Sequence, residues 1–384
     1  MRGSFYVLYD PLFVTYYFKT NVVRIITPFI FILCFLSTPD QLSTTIDPSA
    51  THFYDLPELF SSDEILNIKL SGNIRSVLND RGDNPQYHSL SFSYFEKDSN
   101  EISMSVNIKA RGHFRKDKEN CNYPPLMLDF LKSNQPAASL FYKQKKLKLV
   151  MPCNDDQYVI REWLVYKLYN VITPKSFKTR LVRVTIDDAS KKKPASFYGI
   201  LLEDEKQMAQ RNKTMVIERQ SLKPQNTETD AFLTMAVFQY MIGNTDWSVQ
   251  YQQNIKLLAA NANAIPTTVP YDFDHSGMVN ASYAHPAEEL EMRSVIERRY
   301  RGYCVADMKT FDEVINKFNK LKNSFYNVYT NCSLVDAKYV KTITKYLDEF
   351  YATLNNPKEV KKEFSYPCDP NGTGNIIIKG LRED

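Results

Sequence analysis

The sequence predicts an α+β chain in two lobes, a strand-rich first lobe followed by a mainly helical second one. Residues 66 to 150 hold five short segments of alternating or continuous apolar character, the pattern of strands. Beyond residue 206 the period lengthens to that of helices. The chain is also long enough for a sizeable core, with 384 residues, 43% of them apolar and 24% charged.

Taken in order, ILNIKLSG, HSLSFSYFEK, ISMSVNIKARG, PPLMLDFL and KKLKLVM read as strands. In the last of these, alternation places Leu147 and Leu149 on one face and Lys146 and Lys148 on the other. DDQYVIREWLVYKLYNVI follows as a helix starting near residue 156, capped by Asp155 or Asp156. TRLVRVTIDD and ASFYGILLEDE are two further strands joined by a polar turn. ETDAFLTMAVFQYMI is an apolar helix stopped by Gly243. A hairpin is expected next, spanning GNTDWSVQYQQNIKLL and VPYDFDHSG, and then a tail that is mostly helical over 286 to 355. This order is that of a bilobal protein-kinase-like fold. The lobes are expected over 66–205 and 206–384, after a linker over 39–65.

Residues 25 to 37, IITPFIFILCFLS, form an apolar run preceded by Lys19 and Arg24 and followed by a polar stretch. Residues 1–38 therefore read as a signal peptide or an N-terminal membrane anchor, and the chain as exported to the periplasm, the cell surface or the medium. The run is short for a membrane span of about 20 residues. Cys34 falls within this segment, leaving five cysteines. In an oxidising compartment Cys121 could pair with Cys153, and two of Cys304, Cys332 and Cys368 with each other, leaving one thiol over; the sequence leaves the connectivity open. The sequence has no CxxC motif and only five histidines, which argues against structural zinc. A net charge of +4 is too small to argue for nucleic acid.

The chemistry concentrates in the hairpin. Asp246, Asn254, Asp272 and Asp274 supply the oxygen donors that hard magnesium takes. Transfer of a phosphoryl group needs such a metal set, a carboxylate beside the acceptor hydroxyl, and cations for the phosphates. Asp246 is the candidate catalytic carboxylate, and Asn254, Asp272 and Asp274 are the candidate metal ligands. Lys148, with Lys146 as a substitute, is the phosphate-binding candidate, and Glu162 is its partner on the helix. Arg111 beside Gly112, and Glu203 at the end of its strand, are further nucleotide-binding candidates. Each of these also has an ordinary role open to it, as a turn former, a strand edge or a solvated lysine. The segment ERRYRG offers Arg298, Arg299 and Arg301 either to an acidic substrate or to solvent at a helix end.

In order along residues 105 to 285, RGHFRK, REWLVYKLY, YGILLEDE, GNTDWS…QNIKLL and VPYDFDHSG resemble the CotH-like family of atypical protein kinases, in particular variants exported by Bacteroidetes-type bacteria. The resemblance implies a kinase that uses ATP and magnesium to phosphorylate Ser or Thr of protein substrates outside the cytoplasm. It matches Asp246 to the catalytic aspartate, Asn254 to the metal-binding asparagine, Asp272 to the principal metal aspartate, Lys148 to the phosphate lysine and Glu162 to its orienting partner. Two departures stand out: the stretch SVQYQQ lengthens the catalytic loop, and Gly112 alone represents the glycine-rich loop. The alternative function is a surface-binding or adhesion protein of the same fold with little or no turnover. A metal-dependent phosphohydrolase is a third reading, weakened because only His275 lies near the motif.

Overall fold

The computed structural model describes residues 58–95, 100–131 and 139–372. The expected signal or anchor segment lies outside them. Among the described residues no helix is long and apolar enough to cross a membrane.

Seven strands form a closed barrel: β1 (Leu66–Gly72), β2 (His88–Phe95), β3 (Glu101–Ala110), β4 (Leu126–Phe130), β5 (Lys146–Val150), β6 (Thr179–Asp188) and β7 (Ala195–Leu202). Their order around the barrel is β1-β2-β3-β4-β5-β7-β6. Every pair is antiparallel except β1 with β6, which runs parallel from Leu66↔Val182 to Gly72↔Asp188 and closes the ring. The expected bilobal protein-kinase-like fold is corrected by this closure: a barrel, rather than the open sheet of a small lobe, forms the core of the first half. The reason is physical. Alternation identifies a strand and its inward face but carries no information on its partner, and the closing pair joins segments more than a hundred residues apart in the chain.

The barrel interior is apolar. Leu147 and Leu149 of β5 are fully buried in it, as their alternation predicts. Phe92 packs edge-on against Phe130 at 5.4 Å and Phe141 at 4.9 Å. The outer face of β5 therefore carries Lys146 and Lys148.

Between β5 and β6 runs α2 (Asp156–Ile172), preceded by the short α1 (Ile74–Asn79) earlier in the chain. Asp155 caps α2 by accepting a hydrogen bond from the Gln157 amide at 2.9 Å. The helix is buried on most of its circumference because it packs on the barrel and on a second core. That core contains α3 (Glu205–Arg211), α4 (Thr229–Ile242) and a three-stranded sheet in the order β10-β9-β8, made by β8 (Met215–Ile217), β9 (Ile255–Ala259) and β10 (Thr267–Pro270). It is completed by α5 (Asp312–Thr330), α6 (Ala337–Leu354) and α7 (Pro357–Phe364). Helix α4 ends at Gly243, whose left-handed φ of 69° only glycine adopts without strain. A side-chain carbon there would lie 2.2 Å from the Tyr346 hydroxyl.

Two disulfides form, Cys121–Cys153 and Cys304–Cys368, and Cys332 is the free thiol among the described residues. The second pair was one of three left open by the sequence.

Candidate phosphoryl-transfer site

Asp246 follows the end of α4, and the long stretch after it does not separate it from Asn254. Ser248 and Gln253 exchange backbone hydrogen bonds of 3.0 and 2.9 Å, so the extra residues close on themselves as a bridged loop. Asn254 then donates from Nδ2 to both the main-chain oxygen (2.8 Å) and the Oδ2 (3.0 Å) of Asp246. Gln253 donates to the other oxygen, Oδ1. This arrangement fixes the Asp246 carboxylate and uses only the Nδ2 of Asn254, whose Oδ1 has no donor among the described residues.

Asp272 and Asp274 lie past the end of β10 at Pro270, in irregular chain and not on the strand the sequence suggested. Asn254 and Asp272 both adopt left-handed backbone, with φ of 51° and 61°. Asn and Asp tolerate that region better than other side chains, and such strain collects at functional positions. The backbone N–H of Asp272 donates to the Tyr166 hydroxyl of α2 at 2.9 Å. Asp274 is buried, and its Oδ2 accepts from Tyr283 at 3.0 Å and from Arg115 Nη1 at 3.4 Å.

These carboxylates act on one another. Burial, followed by the charges of Asp274 and Asp272, holds Glu162 well above the usual carboxylate range. Burial and then Asp274 push Asp272 up to about 6, with Asp246 adding to the effect against Arg115 and Arg111. Asp246 is also raised, chiefly by burial, while His275 and Arg301 oppose. Buried Arg115 sits among them. Desolvation works against its charge, but Tyr283, Asp274, Glu162 and Asp272 outweigh it and raise its proton affinity.

The partnership expected between Lys148 and Glu162 does not form. Glu162 is 1% exposed, lies by the Phe273 amide and leaves Oε1 without a partner among the described residues, with Arg115 as its nearby cation. Arg115 is delivered by the turn Phe114–Lys116, where it also donates to the Met151 carbonyl, and Cys121–Cys153 ties this connection to the start of α2. Lys148 instead lies 5.0 Å over the Tyr271 ring, next to Asp272. Desolvation first, then Arg111 and Lys256, lower its pKa to about 8. Arg111 and Lys256 thus share this wall with it, and Lys256 pairs with Glu205 at 2.8 Å.

Two candidates lie apart. Lys146 is exposed and pairs with Asp129 at 3.6 Å on the neighbouring strand, so it is no substitute for Lys148. Glu203 is closed into a buried pair with Arg211, at 2.8 Å to Nε and 2.9 Å to Nη2, and also accepts from the Lys178 amide at 2.9 Å. Neither of its oxygens is left for a nucleotide. The arginines of ERRYRG do not sit at a helix end; all three are half-buried and bonded within the protein. Arg301 donates to the carbonyls of Thr245 and Trp247 and so braces the loop carrying Asp246. Arg298 lies 3.5 Å from the Tyr346 ring and donates to Met241, and Arg299 donates to Tyr366.

Sequence reasoning missed Tyr166, Tyr283 and Lys256. Nothing local marks any of the three, since Asn254 lies before β9 with left-handed backbone and so sets no strand alternation for Lys256.

Among the described residues no group of three or more His, Cys, Asp or Glu side chains is arranged to hold a metal unaided. A magnesium ion needs less from the protein, since it keeps waters and takes one or two carboxylates plus substrate phosphates. Asp272 and the free Oδ1 of Asn254 fit that smaller demand, with Asp274 either adding its second oxygen or supporting Asp272. A comparison with protein-family models finds no match for this chain, and none is found among curated proteins.

Proposed function

We propose that this chain transfers a phosphoryl group from ATP, with magnesium, to Ser or Thr hydroxyls of proteins outside the cytoplasm. The observation that carries the reading is the convergence of Asp246, Asn254 and Asp272, brought together by the bridged loop and the β9–β10 hairpin. The ordered motif resemblance to CotH-like kinases adds to it, and the two disulfides fit an oxidising compartment.

Asp272 and Asn254 would hold the metal, backed by Asp274. When bound, magnesium would neutralise charge on the phosphate oxygens. Lys148 and Arg111 face the same place and supply positive charge for the phosphates. Asp246, held on both oxygens and raised by burial, is suited to accept the proton of the attacking hydroxyl. Arg115 offsets the buried charge of Asp274 and draws the proton affinity of Asp272 down, so that Asp272 can remain ionised near neutral pH.

Purified protein incubated with γ-labelled ATP, magnesium and a generic Ser/Thr acceptor tests this. The expected result is label transfer that is lost in Asp272→Asn together with magnesium-dependent nucleotide binding. Asp246→Asn should keep nucleotide binding and lose about 10²-fold or more in rate. Absence of both transfer and magnesium-dependent nucleotide binding in the native chain would overturn the proposal.

A further inference from the structure

Asn254 and Asp272, the two residues assigned above to magnesium, are joined through the main chain. The Tyr271 N–H donates to the Asn254 carbonyl at 3.0 Å, so Asp272 follows directly from an anchored peptide. Asp272 itself has a left-handed φ of 61° and lies past the end of β10, where strand pairing does not take its N–H. That N–H donates instead to the Tyr166 hydroxyl of α2, at 2.9 Å, and has no other acceptor among the described residues.

The ring of Tyr166 gives this hydroxyl a defined place. The residue is 2% exposed, and its ring stands edge-on to that of Phe273 at 4.8 Å. Phe273 is fully buried and meets Phe238 of α4 at 5.6 Å, so both aromatic neighbours are packed into the core. A residue other than glycine keeps left-handed backbone only where its surroundings over-determine it. Here the Asn254 carbonyl and the Tyr166 hydroxyl do so, by holding the two successive amides on which the Asp272 carboxylate depends. Without the hydroxyl the Asp272 N–H would be left against an aromatic ring, and a stranded donor costs more than a hydrogen bond contributes. The peptide would then turn away and carry the carboxylate with it.

We propose that Tyr166 is a positioning residue for the metal site: its hydroxyl holds the Asp272 backbone in the conformation that presents the carboxylate to magnesium. The inference rests on the phosphoryl-transfer reading, because it requires Asp272 to bind the metal. Tyr166 touches neither metal nor substrate in this role. It acts as the outer hydrogen-bond partners of other metal ligands do, whose loss costs about 10–100-fold in metal affinity.

Tyr166→Phe removes the hydroxyl and keeps the ring on Phe273. Manganese alone, a paramagnetic substitute for magnesium, is titrated into the full chain and followed by electron paramagnetic resonance. The Kd should rise about tenfold in the variant. In the transfer assay the KM for magnesium–ATP should rise by about the same factor, while kcat changes by no more than about twofold. Tyr169→Phe is the control: it deletes a hydroxyl from the same helix, on a ring packed 4.7 Å from Phe238, and should leave both readouts unchanged. A native chain that binds manganese with an affinity Tyr166→Phe does not weaken would overturn this inference and leave the phosphoryl-transfer reading standing. Equal weakening in Tyr169→Phe would assign the effect to the packing of α2 and would also overturn it. A native chain that neither binds manganese nor transfers label would overturn both.

Discussion

Replacing Lys148 with Met should stabilise the empty protein at neutral pH while removing the nucleotide contact proposed for this lysine. The folded chain holds the Lys148 proton less tightly than the unfolded chain, because burial and then Arg111 lower its pKa from 10.5 to about 8. Below about pH 8 the lysine is charged in both states and the folded state bears the full penalty. Between about pH 8 and 10.5 unfolding takes up a proton, so native stability rises with pH and the penalty fades. The fall of about 2.5 pH units corresponds to ~3 kcal/mol at 1.36 kcal/mol per unit. Partial solvent access of the side chain reduces this to about 2 kcal/mol. Roughly 300 ordered residues have an unfolding entropy near 0.6 kcal/mol/K, so Tm should rise by about 3 °C. Met also keeps the apolar stem over Tyr271. The assay is a pair of thermal melts across pH 7 to 10.5, with and without magnesium–ATP. The variant should melt higher than the native chain at pH 7, converge with it near pH 10.5, and show little nucleotide-induced shift. A variant that melts lower at pH 7, or keeps a constant difference across the range, would refute the electrostatic reasoning. A retained nucleotide shift would remove Lys148 from the phosphate site.

Three further outcomes follow from the geometry. Gly243→Ala should lower stability by about 2 kcal/mol or more by denaturant titration, since its φ is 69° and the new carbon meets the Tyr346 hydroxyl at 2.2 Å. Cys121→Ser with Cys153→Ser opens a loop of 32 residues and should cost about 3–4 kcal/mol by the chain-entropy account; it should also weaken magnesium–ATP binding, because Arg115 is carried on the released connection. Glu203→Gln strands Arg211 in a buried site and should cost about 3–5 kcal/mol of stability. The nucleotide affinity of its folded fraction should stay unchanged, which a ribose-binding role for Glu203 would not allow.

The sequence by itself determined the local features. Alternation and short apolar runs marked β1 through β5, an Asp at 155 or 156 began α2, and Gly243 ended α4, because each depends on chemistry within a few residues. The types Asp and Asn in the hairpin were likewise legible as oxygen donors. Only the tertiary structure decided how these pieces meet. The parallel pairing of β1 with β6 replaced an open small lobe with a closed barrel, and a strand does not record its partner. Spacing made SVQYQQ look too long for a catalytic loop, yet the Ser248–Gln253 bridge takes up the excess and places Asn254 against Asp246. Side chains of equal sequence promise also separated in space. Lys148 reached Tyr271 and the neighbourhood of Asp272, whereas Lys146, two residues earlier on the same face, fell to Asp129. Glu162 met Arg115 in place of Lys148 because the disulfide-tied connection brings that guanidinium to the helix. Burial and charge pairing depend on neighbours distant in the chain, and those neighbours exist only once it has folded.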